Sequence, residues 1–491
     1  MAGMCMTIEF DVLTALAIIL FIVNLLLAIV LIFIERKDAT STWAWLLVLY
    51  FVPFFGFIIY LLIGQTLTRR KMFEWEGIQK IGIESLIEEQ KEQIIDPDFT
   101  FNEPMVDESR DLIYMMLINN DAVLTKENKI DLYTDGKEKF DQLLKDIKQA
   151  KTFIHMQYYI FRNDGIGKEI IQALTEKARQ GVKVRFLYDD LGSRQLKHKH
   201  LAELEKAGGE IGVFFPSKLS PINLRLNYRN HRKLTNIDGY LGYVGGFNVG
   251  DEYLGKSKKF GYWRDTHLRI IGPAVHSIQT RFILDWNQAA KKYHISYEDR
   301  YFPSIETKGS SAIQIVSSGP DSEWEQIKSG YLKMIMMAQD SIYIQTPYFI
   351  PDQTLLDALK VACLSGINVQ IIIPNKPDHM FVYWATTSHV GELLKVGAKV
   401  YTYENGFIHA KTLIVDRKIS SVGTANIDMR SFKLNFEVNA FIYEEETAEK
   451  LLAKFDEDLM LSKLFTWEDY EKRSKTMRFK ESISRLLSPI L

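Results

Sequence analysis

Two short stretches of the chain each place an ammonium group two residues after an imidazole. The first reads Asn230-His231-Arg232-Lys233 and runs on to Asp238, Gly245 and Asn248; the second reads Ile408-His409-Ala410-Lys411 and runs on to Asp416, Gly423 and Asn426. His, Lys, Asp, Gly and Asn fall at +0, +2, +7, +14 and +17 in both, with one common offset of 178 residues. Residues i and i+2 of a strand point to one face, so His231 shares a face with Lys233, and His409 with Lys411. Brought together, two imidazoles, two ammonium groups and two Asn amides make a receptor for a phosphate group. Lys233, Lys411, Asn248 and Asn426 are the expected donors to its non-bridging oxygens, in place of the metal cation that phosphoryl transfer often uses. One imidazole can attack as nucleophile while the other works as acid and then as base, and spacing does not order the two. Asp238 and Asp416 close the motif and are counted with the catalytic set. Their odd offset of five from the lysines turns them to the other strand face, where a turn or supporting role fits better.

The elements that must position these residues are themselves repeated. Ala150-Lys-Thr-Phe-Ile-His-Met-Gln157 matches Ala338-Gln-Asp-Ser-Ile-Tyr-Ile-Gln345, and each reads as a buried strand after an amphipathic helix. A helical pattern follows, about 166–179 and 352–364, ending at Gly181 and Gly366. Another apolar strand comes next, Val182 to Tyr188 and Ile367 to Ile373. Strand, helix and strand of these lengths predict a right-handed crossover in a mainly parallel sheet. The fold class expected is therefore α/β, a duplicated catalytic unit of two mixed or parallel sheets flanked by helices and related by a pseudo-twofold. The halves are placed at 111–305 and 306–491, the second carrying a C-terminal helix.

Apolarity gathers at the other end. Residues 12–34 and 43–64 carry no charged side chain until Glu35 and are each long enough to cross a bilayer. Met1 to Asp11 contains no Lys or Arg, which argues against a cleaved signal peptide. The expectation is a transmembrane hairpin over residues 1–65, followed by an acidic, Gln-rich connector over 66–110. Arg36 and Lys37 in the hairpin loop, set against Arg69, Arg70 and Lys71 after it, favour a cytoplasmic catalytic part.

Composition removes other classes. Lys and Arg number 60 against 62 Asp and Glu, which excludes a strongly basic nucleic-acid-coating protein. Two cysteines, Cys5 and Cys363, cannot form a disulfide framework or a zinc site. No Gly-rich Walker sequence is present, and exchanging one phosphodiester for another needs no nucleotide. No cofactor and no metal are expected. Two basic stretches, Lys197 to His200 and Arg225 to Lys233, suit either anionic headgroups or a solvated face. At the C-terminus Phe479, Ile483, Leu486, Leu487 and Ile490 share a helical stripe beside Lys480 and Arg485, fit for a membrane interface or for packing on the core.

With these residues in view, the chain resembles the phospholipase D superfamily, and over nearly its whole length its bacterial cardiolipin synthases. Supporting matches are Trp43 to Gly64, Gly245-Gly-Phe-Asn-Val-Gly-Asp-Glu-Tyr253, Trp263-Arg-Asp-Thr-His267, and Asp428-Met-Arg-Ser with Leu434-Asn-Phe-Glu437. The resemblance implies transfer of a phosphatidyl group between two phosphatidylglycerol molecules, releasing glycerol through a phosphatidyl-histidine, with His231 as nucleophile. It implies that Asp265 orients His231 and Glu437 orients His409. The implied partners are phosphatidylglycerol and anionic membrane lipid, with no nucleic acid, and the implied location is the cell membrane. A membrane-bound phospholipase D hydrolase, or a transphosphatidylase with another donor or acceptor, uses the same motifs and stands as the alternative.

Overall fold

The computed structural model describes residues 2–35, 39–60, 72–73, 75–216, 227–307 and 309–488. The loop residues Arg36 and Lys37, the segment through Gly64 to Lys71, Arg225 and Ile490 lie outside them.

The catalytic part is built from two mixed sheets. In the first, Glu210–Phe214, Lys183–Asp189 and Phe153–Tyr158 run parallel. Leu234–Ile237, Leu241–Gly245, Trp263–Ile271 and Thr125–Asp135 then continue the sheet antiparallel. The second repeats this order with Lys399–Tyr403, Asn368–Pro374 and Ser341–Gln345 in parallel. Thr412–Val415, Ile419–Gly423, Asn435–Tyr443 and Ser311–Ser318 complete it antiparallel. The crossover helices are Gly165–Arg179 and Gln353–Leu364, capped by the side chains of Asp164 and Asp352. Gly181 and Gly366 after them take φ of 88° and 91°, the left-handed region that a glycine enters at no steric cost.

Each half has its own apolar core, and a third cluster joins them. Leu234, Val244 and Leu268 of the first half pack there with Ile372, Ile414 and Val438 of the second. Edge pairing of Thr125–Asp135 with Ser311–Ser318 links the two sheets along one side. Two short parallel ladders link them again across the cleft: Arg229–Asn230 with Asn435–Phe436, and Phe407–Ile408 with Trp263–Arg264. The strand pairings therefore close on themselves.

Chain order and packing disagree at one boundary. Helix Arg110–Asn120, expected to open the first half, buries Leu112, Ile113, Met116 and Leu117 in the core of the second. Ile87 and Ile94 of connector helix Ile83–Ile95 join the same core, so this part of the connector is anchored by one face and is not a free tether.

The first expected span falls on helix Ala2–Ile29 with a π-helical continuation, Val30–Glu35. The second is divided into Ala39–Phe51 and Pro53–Ile59, because Pro53 has no N–H to continue the ladder. Among the described residues no helix is long and apolar enough to cross a membrane.

Candidate active site

Each motif histidine sits one residue past a cross-cleft ladder. Arg229–Asn230 pairs with Asn435–Phe436 in parallel register, so the next residues, His231 and Glu437, are neighbours. The other ladder, Phe407–Ile408 with Trp263–Arg264, brings His409 beside Asp265 in the same way. Main-chain bonds fix both steps, from His231 N to Phe436 O at 2.9 Å and from His409 N to Arg264 O at 2.6 Å. The side chains follow: His231 Nδ1 lies 2.9 Å from Glu437 Oε2, and His409 Nδ1 lies 2.6 Å from Asp265 Oδ2. The pairing that the resemblance implied is thus reversed. Each histidine is held by the carboxylate of the opposite half, because the ladders that carry them run between halves.

The carboxylates are fixed in turn. Glu437 also accepts from Thr424 Oγ1 at 2.5 Å and Asn435 Nδ2 at 3.2 Å, while Asp265 accepts from Thr266 N at 2.7 Å. The motif glycines permit this closeness. A Cβ on Gly245 would sit 2.5 Å from His267 Cα, on the strand that carries Asp265. Gly423 faces Val438 and Asn439 on the strand that carries Glu437.

A hydrogen on Nδ1 directed at a carboxylate leaves the Nε2 lone pair of each ring for the cleft. Lys411 Nζ also lies 2.8 Å from His409 Nδ1 and reaches the His409 carbonyl. An ammonium can only donate and a carboxylate only accept, so the Nδ1 hydrogen belongs to Asp265 and Lys411 acts there as a charge. Lys233 Nζ donates to the His231 carbonyl at 2.6 Å and lies 5.3 Å from the Tyr159 ring centroid. Tyr159 also packs edge-on against His231, with centroids 4.8 Å apart.

Burial governs the electrostatics. It lowers both His231 and His409 to about 4; Lys233 adds to this at His231 and Lys411 at His409, against the opposing pull of each ring's carboxylate. Burial likewise brings Lys411 down to about 8 and Lys233 well below its ordinary value. Burial would raise Glu437 and Asp265, but His231 with Lys233, and Lys411 with His409, outweigh it and hold both below their ordinary values. At neutral pH the empty site has neutral imidazoles backed by carboxylates, a state suited to nucleophilic attack.

Both histidines line one cavity of about 440 Å³. Asn248 and Asn426 line it too. Asn248 Oδ1 accepts from Ile160 N at 3.0 Å, which leaves its Nδ2 as the donating end. Asn426 Nδ2 donates to Asp428 Oδ2 at 3.1 Å, and its Oδ1 is buried without a partner. Sequence reasoning missed several lining residues, among them Tyr159, Tyr348, Asp378 and Arg430. Tyr159 falls at the end of the strand repeat and Arg430 within the family match, but neither carries a role in the sequence reading, and Tyr348 and Asp378 enter from loops outside any motif. Among the described residues, no group of three or more His, Cys, Asp or Glu side chains is placed to hold a metal ion.

Asp238 and Asp416 do not reach the cavity. Asp238 accepts from Lys151 N, Thr152 N, Thr152 Oγ1 and Phe153 N, at 2.7–2.9 Å. Asp416 accepts from Gln339 N, Asp340 N and Ser341 N at 2.8–2.9 Å. Both take positive φ, 54° and 52°, in the turn after the motif strand. They tie that turn to the start of strands Phe153–Tyr158 and Ser341–Gln345, and their place in the catalytic set is corrected to a structural one.

The described residues of the basic stretch ending at Lys233 face inward and not a headgroup surface. Arg229, Arg232 and Lys233 are buried, and Arg232 pairs with Asp285 at 2.7 Å while donating to the Glu437 carbonyl at 3.0 Å.

Comparison with known proteins agrees with this architecture. A family described as "Cardiolipin synthase, PLD-like domain" matches residues 143–271 and 331–459, and one described as "Phospholipase_D-nuclease N-terminal" matches 22–65. The major cardiolipin synthase of Bacillus subtilis (strain 168) is 62% identical over 471 residues, covering 96% of this chain and 98% of that protein. A cardiolipin synthase of Listeria innocua is 57% identical over 476 residues, covering 97% and 99%. Among solved structures, the phosphatidylserine synthase of Haemophilus influenzae Rd KW20 covers 78% of this chain and 100% of its own, with a TM-score of 0.60 at 14% identity, which is a likeness of fold.

Proposed function

The chain belongs to the cardiolipin synthases of the phospholipase D superfamily, and from that premise we propose that it transfers a phosphatidyl group from one phosphatidylglycerol to another, giving cardiolipin and glycerol. The observation that carries the reading is the facing pair of carboxylate-backed histidines in one cavity, each with a lysine two residues on.

In the first step His231 Nε2 attacks phosphorus, with Glu437 stabilising the charge that grows on the ring. The bond from phosphorus to the headgroup glycerol breaks, and that oxygen takes a proton from His409. The bound phosphodiester anion and Asp265 together favour the protonated His409 that this step needs. In the second step the free glycerol hydroxyl of another phosphatidylglycerol gives its proton to His409 and attacks phosphorus, releasing His231. Lys233, Lys411, Asn248 and Asn426 hold the non-bridging oxygens, where charge builds in both transition states. Aromatic walls, including Tyr253, Phe260 and Trp263, limit water that would otherwise divert the intermediate to phosphatidic acid.

The N-terminal segment serves as a membrane hairpin, with the catalytic part on the cytoplasmic side and the catalytic halves divided near residue 306. Asn24 Nδ2 donates to Leu49 O at 3.2 Å, tying the first helix to the next. Leu16, Ile19, Phe21 and Leu26 stand exposed along the first helix and Tyr50 and Phe51 at the end of the second, an apolar surface that suits lipid. Anchoring presents both lipid substrates at high effective concentration.

The test is to give the full chain in detergent phosphatidylglycerol as sole lipid, with EDTA and without nucleotide, and to read products by mass spectrometry. Cardiolipin and glycerol, absent from His231→Ala and His409→Ala, are expected. Phosphatidic acid in their place would make the protein a hydrolase.

A further inference from the structure

The C-terminal helix, Lys475–Leu487, is turned the wrong way round for a helix packed on a protein core. At 100° per residue, Phe479, Ile483 and Leu486 fall within a stripe about 60° wide, and Glu481, Ser484 and Ser488 lie roughly opposite. The polar face is the one that packs inward: Glu481 is 3% exposed and Ser484 0%. The apolar face looks out, with Phe479 67%, Ile483 39% and Leu486 72% exposed.

The inward face is held by ion pairs at its edges, while Glu481 Oε1 and Ser484 Oγ are buried without a hydrogen-bond partner among the described residues. Glu481 pairs with Arg473, and Arg485 pairs with Glu392 on helix Met380–Leu394. Lys480 Nζ sits 4.9 Å over the Trp384 ring of that helix. The packing therefore holds the helix in this orientation and leaves its apolar stripe uncovered by the described residues.

Position and charge say what covers the stripe. Ser488, directly after the helix, lines the catalytic cavity, as do His379 and Val382 around the start of helix Met380–Leu394. Between these two lining residues Met380 and Phe381 are both about half exposed. The C-terminal end of the helix and this pair thus lie beside the cavity. Lys480 borders the stripe on one side and Arg478 on the other, while the helix's one acidic residue, Glu481, is buried. Apolar side chains edged by cations match a bilayer interface with anionic headgroups, the ammonium and guanidinium groups reaching the phosphates.

We propose that the C-terminal helix is an interfacial docking element, which seats its Phe479–Ile483–Leu486 face in an anionic bilayer and sets the cavity mouth against the lipid surface. The proposal rests on the reading of the chain as a lipid phosphatidyltransferase for its purpose, though not for its geometry.

Its test uses the full chain with Cys5→Ser and Cys363→Ser, carrying Phe479→Cys or Leu486→Cys with a nitroxide label, in nanodiscs of phosphatidylglycerol or of phosphatidylcholine. The result expected is greater collision with oxygen than with a water-soluble nickel chelate, stronger by severalfold in the anionic discs. Nickel access equal to or above oxygen access in both lipids would overturn the proposal. So would protection from both reagents with spin–spin broadening that dilution by unlabelled protein removes, which would mean a second copy of the chain covers the stripe. A kinetic arm follows the same face: Phe479→Glu and Leu486→Glu should raise the apparent KM for vesicle phosphatidylglycerol about tenfold and leave turnover of a short-chain, micelle-dispersed substrate unchanged, with Phe479→Leu restoring vesicle activity. An unchanged KM on vesicles would contradict it. The label reports depth without turnover, so a chain inactive on phosphatidylglycerol fails the functional reading and leaves this one standing or falling on the collision data.

Discussion

Glu437, on a strand of the second half, accepts the Nδ1 hydrogen of His231 in the first half at 2.9 Å, and Asp265 repays the relationship to His409 at 2.6 Å. Neither half therefore contains a complete histidine–carboxylate pair. The site exists only where the halves are docked, and the ladders that dock them are the same ones that set the histidines.

A first prediction separates this crossed arrangement from one within each half. Proton NMR of selectively labelled histidine should show two downfield Nδ1–H resonances. Glu437→Gln should remove or shift that of His231, and Asp265→Asn that of His409. The opposite assignment would contradict the geometry. Either substitution should lower kcat by about a hundred- to ten-thousand-fold, the range seen when an orienting carboxylate is neutralised.

Acid should act on stability through the same two rings. Their pKa values fall from an ordinary 6.5 to about 4 on folding. Between these values the unfolded chain binds more protons, so stability is full above pH 6.5 and is lost as pH falls toward 4. Denaturant titrations over that window should show a shallower pH dependence in His231→Ala and His409→Ala than in the parent. An unchanged slope would mean the rings are not buried neutral.

Binding of an anion should pull a proton in. A phosphodiester held by Lys233 and Lys411 favours imidazolium at His409, whose empty-site pKa lies below neutrality. Calorimetric titration of a non-hydrolysable phosphodiester at pH 6, in buffers of different ionisation enthalpy, should report net proton uptake, lost in His409→Ala.

At the alkaline end Lys411 sets the limit. It is cationic below about pH 8 and neutral above it. The free enzyme's kcat/KM should fall as pH rises through 8, because the anion then loses the Lys411 ammonium. Lys411→Met should lower kcat/KM and remove the alkaline fall together.

Asp238 and Asp416 should separate stability from chemistry. Removing the Asp238 carboxylate leaves four buried or partly buried donors without their acceptor, at a cost of about 2–4 kcal/mol, and removing that of Asp416 costs less, because two of its three donors are exposed to water. Thermal unfolding of Asp238→Ala and Asp416→Ala should shift down, further in the first, while activity per correctly folded molecule stays near the parent value. Asn, which tolerates positive φ, should be the milder substitution at both.

The sequence carried the repeat because each half must bury the same strand–helix–strand unit. Gln157 and Gln345 fall on strands in equivalent places, and Gly181 and Gly366 end equivalent helices. Asp238 and Asp416 part from the lysines because they sit in the turns after strands Leu234–Ile237 and Thr412–Val415, while Lys233 and Lys411 lie just before those strands. What spacing cannot express is which chain segment lies across the cleft. His231 is 34 residues before Asp265 and His409 is 28 before Glu437, and the family resemblance implied those within-half pairs. The crossed ladders that override it are tertiary contacts. The orientation of the C-terminal helix was open for a related reason: an apolar stripe looks the same whether a protein core or a lipid surface is to cover it, and only the packing of Glu481 and Ser484 decides. Tyr348 and Asp378 were illegible because loops that enter a cavity have no periodicity to read.

The most direct measurement is to catch the covalent intermediate. The full chain is mixed rapidly with phosphatidylglycerol, quenched in base, digested and mapped by mass spectrometry, with His231→Ala and His409→Ala alongside. The account predicts a phosphatidyl group on the peptide that contains His231, absent from His231→Ala. An adduct on His409 instead, or cardiolipin made by His231→Ala with no adduct on either ring, would contradict it.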